Sequence, residues 1–394
     1  MQNSPLSADK IMKEENIPTP YYIVYENQLR RNLALITGVA SRSGAKIIMA
    51  FKANALWRTF DIFKEYGVEC TASSVNELML GREYLCEKVH SYCPVYVKDK
   101  FNIFLEGSSH ITFNSIWQWN TYKNDFKAYN ANHPDQMVSP GLRVNPKCSV
   151  IETDIYNPAL PGSRFGVQAE ELAGGLPDGI EGLHFHALCE SSAEDLDKVL
   201  SAFEQQFGHL LPQLKWVNMG GGHLMTRKGY NIDLLVKTLN DFKLRYPNIE
   251  VILEPGSAFT WQTGNLVTSV LDIVENDGIR TAIIDASFAC HMPDTLEMPY
   301  QPGILESCQP SVTSIPYRLG GNSCLSGDFC GPWHFEKALV PGQKLTLLDM
   351  NHYTTVKTTM FNGISHPDIV LCRSNGECEY LRRFTYEDYR SRMS

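Results

Sequence analysis

The sequence lacks an excess of basic residues and lacks long apolar runs. Its 394 residues include 35 Lys and Arg against 44 Asp and Glu, which gives a formal net charge of −9. That balance disfavours nucleic acids and anionic membranes as partners and suits a cationic ligand. No apolar run approaches the roughly 20 residues that a membrane-spanning helix needs. The sequence therefore predicts a protein that binds neither nucleic acid nor membrane.

The eleven cysteines include no CxxC pair. An odd number of cysteines in a long chain indicates reduced thiols, not a disulfide framework. The first 20 residues are polar and contain no apolar stretch of the kind that a secretory signal needs. We therefore expect a cytoplasmic protein.

A chain of this length exceeds one ordinary core, so two domains are expected. Short apolar runs alternate with helical patterns such as 28–41, 58–66, 75–85, 194–207 and 232–246. Eight such runs predict the parallel strands of a (β/α)₈ barrel, a TIM-like fold, over residues 27–262. The predicted strands are 46–51, 68–72, 92–97, 110–113, 141–145, 181–187, 215–219 and 250–254.

The alternation of strand and helix patterns ends after residue 262, where strand patterns follow one another without helices between them. This predicts an all-β C-terminal domain, a sandwich or a barrel-like sheet, formed by residues 263–394 together with residues 1–26. The N-terminal segment belongs there because the stretch 19–26 is β-rich and precedes the first helix. The predicted strands are 266–274, 281–286, 312–318, 344–349, 352–361, 368–372 and 377–383.

Lys52 follows five apolar residues, Ile47 to Phe51, at the end of the first predicted barrel strand. Burying an ammonium group costs several kcal/mol unless it is paired or loses its proton. A lysine with a lowered pKa suits Schiff-base formation. The alternative is an ordinary lysine that extends from the strand end into water.

Other chemically capable residues lie at the ends of later barrel strands, on the face where barrel enzymes hold their active sites. The amides of Gly220, Gly221 and Gly222 fit a phosphate, although three glycines also fit a flexible turn. Glu254 fits a protonated pyridine nitrogen or, alternatively, a salt bridge to Arg143. With Lys52 and the flat ring of His186, these residues predict a site for pyridoxal 5′-phosphate.

His184 and His186 form an HxH pattern, which also occurs in metal-dependent barrel hydrolases. Such sites need further histidines and an acid at later strand ends. The later ends here carry glycines and Glu254. We therefore predict no metal, with a core role for His184.

Several motifs in order along the chain resemble the fold-type III pyridoxal-phosphate decarboxylases, the family of the ornithine, arginine and diaminopimelate enzymes. The resemblance implies that Lys52 binds the cofactor covalently, that His186 stacks on its ring and that Glu254 pairs with its nitrogen. It also implies phosphate contacts from the three glycines, Gly256 and Tyr353, and we add Arg143 to the cofactor site. The motifs are AFKAN, FHALCE, SRFGV, NMGGGH, LEPG, GNSCLSGDF and YTTVKTTMFNG.

The resemblance further implies that Cys324 returns a proton to the product and that the cysteine motif comes from a partner subunit, hence a homodimer with shared sites. The segments HFHALCES, DASFACHMPDTLEMPYQP and GGNSCLSGDFCG resemble the branch that acts on carboxynorspermidine and carboxyspermidine. This implies a small cationic carboxypolyamine as substrate and norspermidine or spermidine as product. Its expected contacts are Asp328, Asp294, Ser257 and Phe361.

Three departures from better-known relatives argue against ornithine or diaminopimelate as substrate. Ser257 replaces an arginine, Leu325 replaces an acid, and Thr71 lies where relatives often carry an aspartate. Alternatives are a diaminopimelate, ornithine or arginine decarboxylase, an alanine racemase, and a non-catalytic barrel that carries pyridoxal phosphate. The last class lacks a β domain, and racemases usually place an arginine where this chain has Glu254.

Overall fold

The computed structural model describes residues 12–394. The chain divides into two compact units: residues 32–259 form one, and residues 260–394 with the segment up to Arg31 form the other. No helix in the described part of the chain is long and apolar enough to cross a membrane.

The unit of residues 32–259 contains a sheet of parallel strands. Their order is β2-β10-β9-β8-β7-β6-β5-β4-β3. Because β2 and β3 are two halves of one run, interrupted at Ile48, the two ends of this order meet and the sheet is a nearly closed barrel. The predicted barrel is therefore confirmed. Its strands are β2 (Lys46–Ile47), β3 (Met49–Ala50), β4 (Cys70–Ala72), β5 (Val89–Tyr92), β6 (Ser108–Phe113), β7 (Ser139–Arg143), β8 (Gly182–His184), β9 (Trp216–Asn218) and β10 (Glu250–Leu253).

Helices connect the barrel strands, and α6 illustrates why they form. Its residues Leu196, Val199, Leu200 and Phe203 recur at helical spacing and are fully buried, while Ser192 caps its first turn. The helices are α1 (Glu26–Ser43), α2 (Phe60–Lys64), α3 (Val75–Tyr84), α4 (Phe101–Gly107), α5 (Ile116–Asn132), α6 (Ala193–Phe207), α7 (Ile232–Arg245) and α8 (Ser257–Thr260).

The predicted limits of two barrel strands were wrong. The third strand was expected at 92–97, but β5 ends at Tyr92. Pro94 lacks the amide hydrogen that a central strand needs, and Val95 and Val97 are exposed. The sixth strand ends at His184, not 187, so His186 lies in the segment that follows it.

The other unit contains a mixed sheet in the order β14-β13-β12-β11-β1-β16-β17, with β15 also paired to β11. β1 pairs with β11 in antiparallel and with β16 in parallel fashion, so the stretch around Tyr21 joins this sheet. The strands are β1 (Tyr21–Tyr25), β11 (Gly264–Asn276), β12 (Ile279–Ile284), β13 (Ile315–Gly320), β14 (Phe329–Phe335), β15 (Lys344–Leu347), β16 (Asp368–Cys372) and β17 (Cys378–Arg382).

Three features of this unit differ from the prediction. Residues 352–361 form turns instead of a strand, because Tyr353 has a φ of 52° and the extended run breaks there despite its many β-branched residues. Strand β14 was not predicted. Helices were not expected either, yet the unit contains α9 (Phe288–His291), α10 (Asp294–Glu297) and α11 (Tyr386–Met393).

Candidate active site

Lys52 lies in the turn that follows β3, as the sequence predicted. The turn is closed by the amide of Ala53, which donates to the carbonyl of Ala50 over 3.1 Å. Nζ of Lys52 is 3.4 Å from Nε2 of His186. Solvent reaches the side chain, while neighbouring protein atoms partly desolvate its amine. Burial and, next, the charge of Arg143 lower the pKa of Lys52.

Arg143 ends β7 and is held between two aromatic rings. Its guanidinium carbon is 4.8 Å from the ring centre of Tyr92 and 4.4 Å from that of Phe165. Its Nη2 donates to the carbonyl of His186 over 3.2 Å. The side chain is therefore fixed as a cation close to Lys52. Sequence reasoning missed both rings, although Phe165 belongs to the SRFGV motif.

His186 lies beside Lys52 with one ring nitrogen already engaged. The amide of Gly221 donates to its Nδ1 over 2.9 Å. Burial, followed by the charges of Lys52 and Arg143, holds the pKa of His186 well below its usual range. The flat ring is therefore neutral at neutral pH, which suits stacking against a flat ligand.

The glycine segment (Gly220, Gly221, Gly222) follows β9 and packs so closely that no side chain fits. A Cβ at Gly221 would lie 2.4 Å from the carbonyl oxygen of Glu254, and one at Gly222 would lie 2.3 Å from that of Leu188. Gly222 also has a φ of 92°, which favours glycine. The amide of Gly220 donates to Oδ1 of Asn218 and that of Gly221 donates to Nδ1 of His186, so both amides are bound within the protein.

Gly256 belongs to the same tightly packed region. A Cβ there would lie 2.5 Å from the Cβ of Ala53. Ser257 begins α8, and its hydroxyl donates to Oε1 of Glu190 over 3.2 Å. Glu190 belongs to the segment that also carries His186, so the serine at the departed arginine position faces a carboxylate in this structure.

Glu254 follows β10, and its carboxylate is oriented by a residue that sequence reasoning missed. Nδ2 of Asn218 donates to Oε1 of Glu254 over 2.7 Å. Oε2 of Glu254 is 3.9 Å from Nε2 of His184. Burial raises the pKa of Glu254, while the hydrogen bond from Asn218, the charge of Lys52 and a hydrogen bond from Thr71 oppose that rise. Asn218 was within reach of the strand-end rule, since it is the last residue of β9.

The unit of residues 260–394 holds Cys324 in an exposed loop between β13 and β14. Asp328 closes this loop. Its carboxylate accepts hydrogen bonds from the hydroxyl of Ser287 at 2.8 Å, the amide of Ala289 at 2.9 Å, and both the amide and hydroxyl of Ser323. The side chain of Asp328, predicted as a substrate contact, is thus engaged within its own unit.

Of the remaining predicted residues of this unit, Asp294 begins the short helix α10, whereas Tyr353 and Phe361 lie in turns further along the chain. Asp294 pairs with Lys357, which also pairs with Glu297. Phe361 is half exposed in the turn Phe361–Gly363. Tyr353 adopts a left-handed backbone with a φ of 52°, a strained conformation for a bulky residue that occurs mostly at functional sites.

Among residues 12–394, no group of three or more His, Cys, Asp or Glu side chains has a geometry that holds a metal ion. His184, half of the HxH pattern, is buried among barrel residues. Its ring contacts Tyr92 edge-on, with 5.4 Å between the ring centres.

The family follows from a comparison with known proteins. A family model described as "Pyridoxal-dependent decarboxylase, C-terminal sheet domain" matches residues 23–351. The chain belongs to the pyridoxal-dependent decarboxylase family. It is a carboxy-lyase with pyridoxal phosphate as its cofactor, as the sequence predicted.

Individual members of this decarboxylase family resemble the chain over nearly its full length. It is 43% identical over 378 residues to a carboxyaminopropylagmatine decarboxylase of Synechocystis, covering 96% of each chain. It is 40% identical over 386 residues to a carboxynorspermidine/carboxyspermidine decarboxylase of Campylobacter jejuni, covering 95% of this chain and 98% of that protein.

Solved structures of decarboxylases also resemble the chain over nearly its full length. The carboxynorspermidine decarboxylase of Campylobacter jejuni, solved with norspermidine, matches with a TM-score of 0.86 and 39% identity, covering 95% of this chain and all of that chain. A diaminopimelate decarboxylase of Helicobacter pylori shares the fold, with a TM-score of 0.81 at 17% identity, covering 96% of this chain and 98% of that chain.

The residues present in the barrel fit the cofactor. An amine with a lowered pKa, a neutral flat ring and a carboxylate held by donors occur together in one unit. The glycine segment follows β9 at the strand ends, a common location for phosphate binding in barrel enzymes. These features are the four that the cofactor's aldehyde, ring, nitrogen and phosphate require.

Proposed function

We propose that this decarboxylase removes CO₂ from a carboxylated polyamine and releases a polyamine of the norspermidine or spermidine type. The observation that carries the proposal is the full-length similarity, at 34–43% identity, to three decarboxylases named for carboxylated polyamine or agmatine substrates. The net charge of −9 suits a cationic substrate.

Different barrel residues would bind different parts of the cofactor. Lys52 would hold its aldehyde carbon, the glycine segment and Gly256 its phosphate, with Tyr353 as a further phosphate contact. His186 would cover the ring, and Glu254 would pair with the ring nitrogen. When bound, pyridoxal phosphate supplies a sink for the electron pair released from the Cα–carboxylate bond.

Three residues of the chain set the protonation states of Lys52 and Glu254 that this chemistry needs. Arg143 lowers the pKa of Lys52, so that a larger share of the amine carries a free electron pair. The donors Asn218 and Thr71 favour the ionised form of Glu254 against the effect of burial. A carboxylate in that form keeps a neighbouring pyridine nitrogen protonated.

Protonation of the product carbon needs an acid, and we assign Cys324 to this role, by resemblance to the family. The same resemblance supports a homodimer in which the cysteine loop of one subunit completes the site of the other. The loop is exposed in the single chain, and Leu325 beside it is 47% exposed, which is compatible with a partner covering it.

The contacts of the substrate's distal end remain proposals. Asp294 pairs with Lys357, and Phe361 follows that lysine by four positions. We keep Asp294 and Phe361 as candidate contacts, with Ser257 at the barrel site. For Asp328 the four hydrogen bonds favour a role in supporting the Cys324 loop, although the sequence suggested a substrate contact. We also propose a cytoplasmic location, which suits the eleven cysteines, since none forms a disulfide within residues 12–394.

A second substrate is favoured by the 43% identity to a carboxyaminopropylagmatine decarboxylase. Its distal group is a guanidinium where the carboxypolyamines have an ammonium. A planar guanidinium binds carboxylates through two parallel hydrogen bonds, so a pocket built for one head group discriminates against the other.

The test is release of CO₂ from purified protein given carboxynorspermidine, carboxyspermidine, carboxyaminopropylagmatine, diaminopimelate or ornithine in turn. The proposal expects one of the carboxypolyamines to have the highest kcat/KM. Fastest turnover of ornithine or diaminopimelate would overturn it. Lys52→Ala is expected to lose covalently bound cofactor after borohydride reduction, as measured by mass spectrometry of the intact protein.

A further inference from the structure

We propose that Asn218 is a positioning residue that links the glycine segment, which would bind the cofactor's phosphate, to Glu254, which would bind its ring nitrogen. The link fixes the spacing between these two contacts. The inference uses the assignment of Glu254 to the ring nitrogen made in the proposed function. It assigns a role to Asn218 because this residue contacts both the glycine segment and Glu254.

Asn218 uses both ends of its side-chain amide. Its Nδ2 donates to Oε1 of Glu254 over 2.7 Å. Its Oδ1 accepts from the amide of Gly220 over 2.8 Å. An amide is planar and carries one donor and one acceptor end, so these two bonds fix the distance between the carboxylate and the glycine segment.

The backbone around Asn218 makes this bridge rigid. Asn218 ends β9 and is 2% exposed. Its own carbonyl accepts from the amide of Phe185 over 2.9 Å, which ties it to the segment before His186. The amide of Glu254 donates to the carbonyl of Gly220 over 2.7 Å, which is a second link between the glycine segment and Glu254.

The chemistry of the amide explains why an aspartate would not serve at this position. An aspartate keeps the acceptor for Gly220 but places a second carboxylate against Glu254. Two buried carboxyl groups at hydrogen-bond distance share one proton, since both cannot ionise easily. Asn218→Asp would therefore restore a donor to Glu254 only while that shared proton is bound.

This difference separates a positioning role from a purely structural one. We expect Asn218→Asp to bind pyridoxal phosphate within about threefold of the wild-type affinity, because the bond to Gly220 is kept. Asn218→Ala loses both bonds and is expected to bind it about ten- to a hundredfold more weakly, since each ordinary hydrogen bond corresponds to about three- to tenfold. Both affinities are measured by titrating the cofactor-free protein and following absorbance.

The decisive measurement is a pH titration of the bound cofactor's visible absorbance, without substrate. Asn218→Asp is expected to show a transition that neither the wild type nor Asn218→Ala shows, and its kcat is expected to fall through the same pH range. Asn276→Asp, the same change at the end of β11, is the control and should leave the titration unchanged.

Two results would overturn the inference. One is an Asn218→Asp protein that follows Asn218→Ala in affinity and in spectrum at every pH. The other is an Asn218→Asp protein indistinguishable from the wild type throughout. Since the affinity and absorbance measurements use no substrate, they test Asn218 even if the substrate assignment in the proposed function fails. Thermal unfolding of each variant identifies any that are misfolded, and Asn218→Ser then replaces such a variant in the affinity comparison.

Discussion

The backbone amide of Cys324 donates a hydrogen bond to Oδ1 of Asn362 over 2.8 Å. The two residues come from motifs 38 positions apart, the cysteine loop and the turn that contains Phe361. Asn362 has a φ of 59°, a left-handed conformation that asparagine tolerates better than most residues. Its side chain thereby fixes the backbone of the proposed proton donor next to the Phe361 turn.

Substitution of Asn362 tests whether this bond positions Cys324. Asn362→Gly keeps the left-handed backbone and removes the acceptor, whereas Asn362→Asp keeps the acceptor. We expect kcat to fall about three- to tenfold in the glycine variant, the value of one hydrogen bond, and less in the aspartate variant. The rate of Cys324 alkylation, followed by peptide mass spectrometry, should change in the glycine variant as well.

Asp277→Gly is the matched control for Asn362, because Asp277 also has a left-handed φ, of 51°, in a distant turn of the same unit. Its kcat and its Cys324 alkylation should equal those of the wild type. An Asn362→Gly protein with wild-type kcat and wild-type alkylation would show that the bond does not position the cysteine.

Removal of the Asp328 carboxylate is expected to destabilise the protein. Asp328 is 4% exposed and its carboxylate accepts four hydrogen bonds, so Asp328→Ala removes the acceptor of four donors, of which the hydroxyl of Ser287 is buried. Hydrogen bonds to a charged group contribute about 1.5–3 kcal/mol each to stability. We expect the free energy of unfolding to fall by at least about 2 kcal/mol, measured by urea denaturation, with Asp135→Ala as the exposed control.

The same variant separates two roles for Asp328. A residue that only binds substrate would, when removed, raise KM and leave the free energy of unfolding unchanged. Gly321 supports the structural role, because a Cβ there would lie 2.2 Å from Oδ2 of Asp328. Gly321→Ala is therefore expected to destabilise the protein through the same loop.

Arg143→Leu is expected to raise the pKa of Lys52. Burial is the larger cause of the lowered pKa and the positive charge of Arg143 the next, so removing that charge leaves a smaller depression. A higher pKa leaves less free amine at a given pH, and the association of pyridoxal phosphate with the cofactor-free protein should slow at neutral pH and recover at higher pH.

The association rate of Arg143→Leu is measured by stopped-flow absorbance between pH 6 and pH 10. Arg164→Leu is the control, since Arg164 is exposed and also stacks on Phe165, with 4.3 Å from its guanidinium carbon to the ring centre. An unchanged pH profile in Arg143→Leu would contradict the assigned electrostatic role.

The barrel and much of its site were accessible from sequence because strand ends follow from local patterns. Lys52 and Glu254 each come directly after an apolar run, and His186 lies two positions after β8. The closing of a parallel barrel brings such strand-end positions to one face. The bond from Asn218 to Glu254 was not accessible, since a hydrogen bond between two strand ends has no periodic signature.

The wrong predictions in the unit of residues 260–394 also arise from contacts and backbone conformations that local sequence patterns do not encode. The run 352–361 has the β-branched composition of a strand, yet the backbone of Tyr353 departs from the extended conformation. Asp328 reads as a free acid in sequence, and only its contacts with Ser287 and Ala289 reveal where its charge is used. Composition predicts which residues are capable of chemistry, whereas long-range pairing decides which of them are already engaged.

His291 makes the stability of the protein depend on pH. Its ring is fully buried, and Nδ1 accepts a hydrogen bond from the amide of Ser287 over 3.1 Å. Burial lowers the pKa of His291 to about 4, against an ordinary value of 6.5. Between these values the unfolded chain binds a proton that the folded chain does not, so the free energy of unfolding falls as the pH is lowered from 6.5 to about 4.

The expected loss from His291 is about 1.4 kcal/mol per pH unit across that window. His291→Asn removes the titrating ring. Its free energy of unfolding should therefore depend less steeply on pH than that of the wild type, and the slopes should differ by up to the uptake of one proton. Urea denaturation at pH 7 and pH 5 measures both slopes. His209→Asn, at an exposed histidine, is the control. Parallel pH profiles for the wild type and His291→Asn would contradict the assignment, because the folded chain would then bind the proton as readily as the unfolded chain does.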